Sequence, residues 1–227
     1  MSKHLERELD NLQRDIMKMA AIVEETVYKS VRALRERDAA LAREVIEGES
    51  DIDSQENDVE EECLKILALH QPVAFDLRRI ASAMKINSEL ERMADLSEAI
   101  AKKALILIRN PQLEVPEDLQ PMADLVTSTV RQSLDAFVSL DPHLARRVIR
   151  LDDEVDAYKR DIIQQVIATM KQSPHLIEPA LSMLSAVRHL ERIADHATNI
   201  AEDVVYLVEG EIVRHRPEAV QQKEEGS

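Results

Sequence analysis

Glycine is nearly missing from this chain, with 3 among 227 residues, and aromatic side chains make up only 2% of it. That removes the residues that build turns, bulges and stable strands, which argues against a sheet. A single cysteine, Cys63, excludes an internal disulfide. Set among apolar helical neighbours, it reads as a small buried hydrophobe and not as a nucleophile. No apolar run approaches the roughly 20 residues that span a bilayer. The opening segment MSKHLERELD has no apolar core of a secretory signal, so a cytosolic protein is expected. Positive charge is short as well: 29 Lys and Arg stand against 44 Asp and Glu, a net charge of -15. Nucleic acid is therefore not an expected partner, because its phosphates repel such a surface. Surplus carboxylates suit a solvated exterior, a hard cation or a basic protein surface.

What is present is material for helices: 32% charged residues and an abundance of Ala, Leu, Glu, Arg and Met. Apolar residues recur at three- and four-residue intervals, interrupted at a few prolines and polar clusters. The pattern predicts six helices at about 5-36, 38-69, 73-109, 117-140, 142-172 and 175-209. Asp38, Asp141-Pro142 and Ser173-Pro174 read as helix starts, while Pro72 and the Pro111 to Pro116 stretch separate helices. From Val213 to Ser227 the sequence is polar and patternless, and a flexible tail is expected there.

The chain also repeats itself. Val27 to Asp53 aligns with Val130 to Asp156 at a constant offset of 103, pairing Asp38 with Asp141, Leu41-Ala42 with Leu144-Ala145 and Val45-Ile46 with Val148-Ile149. Leu90-Glu91-Arg92-Met93-Ala94-Asp95 aligns with Leu190-Glu191-Arg192-Ile193-Ala194-Asp195 at an offset of 100. The expected fold is all-α, two tandem antiparallel three-helix bundles, with repeats at 1-110 and 111-212 and the tail at 213-227.

Both repeats carry an acidic stripe beside the apolar face of the third helix. In the first, Asn87, Glu91, Asp95 and Glu98 lie about 100° from the line of Leu90, Ala94, Ala101, Ala104 and Ile108. In the second, Glu191, Asp195 and Glu202 flank Met183, Leu190, Ala194, Ala201 and Val208. Each E-x-x-x-D pair sits at i and i+4, so its carboxylates project from one face a turn apart. The preceding helix supplies more acids: residues 49-62 hold 8 and no base, with Glu49, Asp53, Glu56 and Glu60 in one sector. Asp152 and Asp156 take the places of Glu49 and Asp53 in the second repeat. If these helices neighbour each other, the stripes either form a solvated face or gather into an oxygen cluster for Mg, Ca, Mn or iron. Of the seven histidines, His189 and His196 flank the second pair and read as polar helix-surface residues. No Gly-rich phosphate loop, nucleophile elbow or E-x-x-H di-iron pair is present.

Taken together, Gln71-Pro72-Val73-Ala74-Phe75-Asp76-Leu77-Arg78-Arg79-Ile80, then Lys85-Ile86 and Leu90 to Asp95, resemble the first-repeat signature of the PhoU family, and Glu191 to Asp195 resembles its second copy. The second half departs from the pattern, with Ser173-Pro174-His175-Leu176-Ile177-Glu178-Pro179 in place of Q-P-x-A-x-D-L-R, so a role for Asp76 or Arg78 is expected in the first repeat alone. The resemblance implies a negative regulator of phosphate uptake and starvation signalling, acting on a Pst-type phosphate transporter and a phosphate sensor histidine kinase when phosphate is plentiful. It implies no enzyme, no membrane contact except through partners, and a homodimer. It also implies a divalent or multinuclear metal (iron, Mn, Mg or Ca) on Glu91, Asp95, Glu191 and Asp195, with Glu49, Asp53, Asp152 and Asp156 as further ligands. The alternative is a metal-dependent helical-bundle enzyme or a metal-storage protein.

Overall fold

Seven α-helices account for most of the computed structural model, which describes residues 3-213. They are α1 (Lys3–Glu36), α2 (Ala39–Glu47), α3 (Glu49–His70), α4 (Ala74–Ile108), α5 (Leu119–Ser139), α6 (Pro142–Gln172) and α7 (Ile177–Glu209). Among the described residues there is no strand. In α1 the buried side chains Leu5, Leu9, Leu12, Ile16, Met19, Val23 and Val27 follow the three-four spacing seen in the sequence.

The repeat is reproduced down to its hydrogen bonds. Asp38 caps α2 by accepting from the Ala40 and Leu41 amides at 2.9 and 3.0 Å, and Asp141 caps α6 from His143 and Leu144 at 2.8 and 3.0 Å. The residues before them, Arg37 and Leu140, both take left-handed backbone (φ 57° and 52°). Ser30 and Ser133 are both buried, and each donates to a carbonyl one turn back, at 2.8 and 2.7 Å.

Where the repeats differ, local chemistry gives the reason. The helix expected at 38-69 is divided at Gly48, which keeps right-handed backbone at φ -83° and ψ -8°. Glycine is a poor helix former, costing about 1 kcal/mol relative to alanine. At an offset of 103 the second repeat has Leu151, and α6 runs through. Ser173 makes no side-chain cap, and Pro174–Leu176 forms a short 3₁₀ turn before α7. Val213, the first residue of the expected tail, is buried against the core. The rest of that tail lies outside the described residues.

Side-chain contacts fix the helix directions. Arg79 at the start of α4 meets Gln13 of α1 at 3.2 Å, and Arg37 after α1 donates to the carbonyls of Leu107 and Asn110 at 3.3 Å, so α1 and α4 run parallel. His70 at the end of α3 meets Glu8 near the start of α1, which makes α3 antiparallel to both. In the second half Arg146 pairs with Glu209 and Lys159 with Glu191, so α6 and α7 are antiparallel. The third helices, α4 and α7, cross the centre antiparallel to each other, and one continuous apolar core joins both halves.

Candidate acidic sites on the central helices

The two stripe-bearing helices are clamped together by polar bridges. Glu89 Oε2 meets His196 Nδ1 at 2.6 Å and accepts from Asn199 at 3.2 Å. Lys85 Nζ donates to Asp203 at 2.8 Å. Burial alone would push the Glu89 carboxyl up, but the His196 and Asn199 hydrogen bonds outweigh it and hold the group below its ordinary range. His196 is therefore a buried cross-repeat partner and not the surface residue expected from sequence. His189 is half-buried and lies 3.2 Å from Ser185. Arg78 likewise reaches across, donating to the Leu207 carbonyl at 3.3 Å, so its contacts are not confined to the first repeat. A further bidentate pair, Arg146 to Glu209 with both bonds at 2.8 Å, ties α6 to the end of α7.

Because Glu89 faces His196, the two E-x-x-x-D pairs sit at the same height in the bundle, each turned toward the preceding helix of its own repeat. The first stripe faces α3. Asn87 is buried and donates to the Glu56 carbonyl at 2.9 Å, locking the register of α4 on α3. Beside it the Glu91 carboxyl is pushed up to about 7, first by burial and then by the charges of Asp95, Glu56 and Asp53. The charge of Asp53, then burial, Glu98 and Asp95 raise Glu49. Burial, Glu60, Asp53 and Asp95 do the same to Glu56. Glu49, Asp53, Glu56, Glu91 and Asp95 thus form one mutually repelling field, with Asp95 on its exposed rim.

The second stripe faces α6 and takes in a lysine. Asp152 is raised by burial and by Asp156, Asp153 and Glu191. Asp195, solvent-exposed like Asp95 yet crowded by the neighbouring helix, is pushed up to about 6, first by partial desolvation and then by Glu191 and Asp152. Into this field comes Lys159, whose ammonium donates to Glu191 at 2.6 Å and Asp156 at 2.9 Å. At the 103-residue offset its counterpart is Glu56. One repeat has a carboxylate where the other has an internal cation, so the two sites are electrostatically unequal although Glu191, Asp195, Asp152 and Asp156 match Glu91, Asp95, Glu49 and Asp53. Among the described residues, no trio of stripe carboxylates brings its oxygens within 4.8 Å of each other. Cys63 is fully buried, its thiol pushed up to about 12 by burial and by Glu60 and Glu62, as suits a packing residue.

Comparison with known proteins supplies the family. A family model described as the PhoU domain matches this chain twice, over residues 16–104 and 119–204. The chain belongs to the PhoU family. The phosphate-specific transport system accessory protein PhoU homolog of Aquifex aeolicus is 40% identical over 210 residues, covering 92% of this chain and 95% of that relative. The protein of the same name from Pseudomonas putida is 38% identical over 218 residues, covering 95% and 84%. The crystal structure of PhoU from Pseudomonas aeruginosa superposes with a TM-score of 0.86 at 36% identity, covering 91% of this chain and 99% of that one. The phosphate transport system regulatory protein PhoU from Streptococcus pneumoniae gives a TM-score of 0.86 at 32% identity, covering 92% and 99%. Both acidic stripes and the Gln71 to Arg78 segment fall inside the matched PhoU residues. No helix among the described residues is long and apolar enough to cross a membrane.

Proposed function

We propose that this protein is a cytoplasmic, non-catalytic accessory regulator of a Pst-type phosphate transporter, which restrains phosphate uptake and starvation signalling when phosphate is plentiful. It acts through protein-protein contacts with the transporter and with a phosphate sensor histidine kinase, as a homodimer that meets the membrane only through those partners. The observation that carries this reading is the match to the family over both repeats, with relatives named as accessory proteins of the phosphate-specific transport system. An affinity-tagged chain expressed from its own locus should bring down transporter and kinase subunits from detergent extracts of phosphate-replete cells. Recovery of neither, with the bait intact and abundant, contradicts the reading.

The first acidic stripe is also proposed as a cation site. The Glu91 carboxyl, raised first by burial and then by the charges of Asp95, Glu56 and Asp53, supports this reading: a hard divalent ion such as Mg, Mn, Ca or iron would offset that cost through oxygen ligands. Glu91 and Asp95 would hold it, with Glu49 and Asp53 reaching from α3. In the second repeat Glu191, Asp195, Asp152 and Asp156 are the matching ligands, but Lys159 already lies among them and a metal there has to displace its ammonium.

A further inference from the structure

Away from both stripes, three potential metal ligands from two helices converge at one end of the first bundle. His4 and Glu8 stand at i and i+4 in the first turns of α1, and His70 is the last residue of α3. Glu8 lies between the two imidazoles: its Oε1 is 3.3 Å from His4 Nε2 and its Oε2 is 2.5 Å from His70 Nε2. The rings meet edge to face, with centroids 5.7 Å apart and planes at 69°. Among the described residues this is the trio whose ligand atoms all lie within 4.8 Å of one another.

We propose that His4, Glu8 and His70 bind one divalent ion of the zinc class, which fastens the start of α1 to the end of α3. Two imidazoles and one carboxylate suit Zn, Co, Ni or Cu, whereas Mg and Ca select oxygen ligands. The spacing fits: a tetrahedral ion with bonds of about 2.0–2.1 Å sets its ligands about 3.3 Å apart. Glu8 Oε1 stands at that distance from His4 Nε2, and the 2.5 Å contact of Oε2 with His70 Nε2 is a hydrogen bond that opens as the ion replaces its proton. The side chains of Glu8 and His70 are 13% and 16% exposed and His4 is 72% exposed. Two ligands are therefore held by packing, and the third closes from the solvent side, leaving a fourth position for water. Lys65 belongs to the same neighbourhood, its charge near Glu8, but its ammonium is engaged by Glu62 at 2.9 Å.

The site lies directly before the short break between α3 and α4. Gln71 and Ala74 both take left-handed backbone, at φ 45° and 50°, around Pro72, and Val73 is 75% exposed. An ion on His70 anchors the residue from which this segment leaves α3. It thereby couples the availability of a borderline metal to the order of the Gln71 to Arg78 surface.

The test uses the untagged full chain, stripped of metal and titrated with Co(II) and Zn(II) in a large excess of Mg(II), which saturates oxygen-only sites. We expect one Co(II) per chain with visible ligand-field absorption, displaced by Zn(II), and a melting temperature raised by Zn(II). His70→Ala should abolish the spectrum. His4→Ala should weaken binding by about tenfold or more, the scale seen when support of a metal site is lost. His175→Ala, an exposed histidine elsewhere, should change nothing. His70→Gln keeps the size of the side chain, and its circular dichroism separates loss of the ion from loss of the fold. The same titration in a Glu91→Gln, Asp95→Asn, Glu191→Gln, Asp195→Asn background should retain the ion. Absence of Co(II) binding in the wild type, or equal binding by a folded His70 variant, overturns the proposal without bearing on phosphate regulation.

Discussion

Replacing Glu91 by glutamine removes one charge from the first stripe at nearly constant shape. In the folded protein the Glu91 carboxyl lies at about 7 against an ordinary value of 4.5. At about 1.4 kcal/mol for each tenfold change in proton affinity, that gap bounds the cost of ionising it at about 3 kcal/mol. Glu91 is only partly buried, so water and salt screen the repulsion, and we take about 1 kcal/mol as the usable figure. The sign follows from proton uptake. The folded state holds the proton more tightly than the unfolded chain, so Glu91 costs no stability below about 4.5, an increasing amount up to about 7, and a constant amount above. Glu91→Gln cannot titrate and should flatten that decline. In chelator at about pH 8 the variant should be more stable than wild type by about 1 kcal/mol, or about 2–4 °C in melting temperature for a chain of this size. Near pH 4.5 the two should nearly coincide. Added Mn(II) or Mg(II) should raise the wild type at the higher pH and leave the variant unmoved. Calorimetry across the pH series reads all of this. A Glu91→Gln protein less stable than wild type at the higher pH, or parallel pH profiles, would refute the account of the stripe as a field of mutually repelling acids.

Three further outcomes are expected. Lys159→Gln withdraws the ammonium from Asp156 and Glu191, so Mn(II) should stabilise this variant more than wild type and titration calorimetry should gain a binding event; an unchanged isotherm counts against the lysine as the built-in counterion. Glu89→Ala leaves His196 without its 2.6 Å partner at the buried junction of α4 and α7 and should cost about 3 kcal/mol in urea unfolding. Because Glu89 is held below its ordinary range, the pair's contribution should fade only as pH falls through that lowered value; a loss under about 1 kcal/mol would show the junction rests on apolar packing. Asp38→Ala and Asp141→Ala should each cost about 1 kcal/mol and add when combined; a cost at one cap and none at the other contradicts their equivalence.

Helices, repeat and caps were readable because each is a local pattern. Three-four spacing places Leu9, Leu12 and Ile16 on one face wherever α1 packs, and an aspartate before Ala-Ala-Leu or Pro-His-Leu finds its amides within three residues. The acidic stripes were legible for the same reason, and the structure sets each against the helix that precedes it. The long-range partners were hidden. Glu89 and His196 are 107 residues apart, and nothing near either marks it as buried. Lys159 was visible at the offset of Glu56, but periodicity alone does not say that its ammonium turns into the stripe. His4 and Glu8 show helical spacing, while the third ligand, His70, lies 62 residues beyond Glu8 and arrives only because α3 returns antiparallel to α1. Gly48 marks a place where the repeats break differently, and its meaning depended on seeing Leu151 continue the helix.

The central claim is that this chain keeps phosphate-starvation signalling off when phosphate is abundant. The most direct measurement is starvation-promoter activity in high phosphate, in a host from which this gene and any second copy have been deleted, with and without the gene restored. The account predicts promoters switched on in the deletion strain and silenced again by the restored chain. Promoters that stay silent without the protein would contradict it.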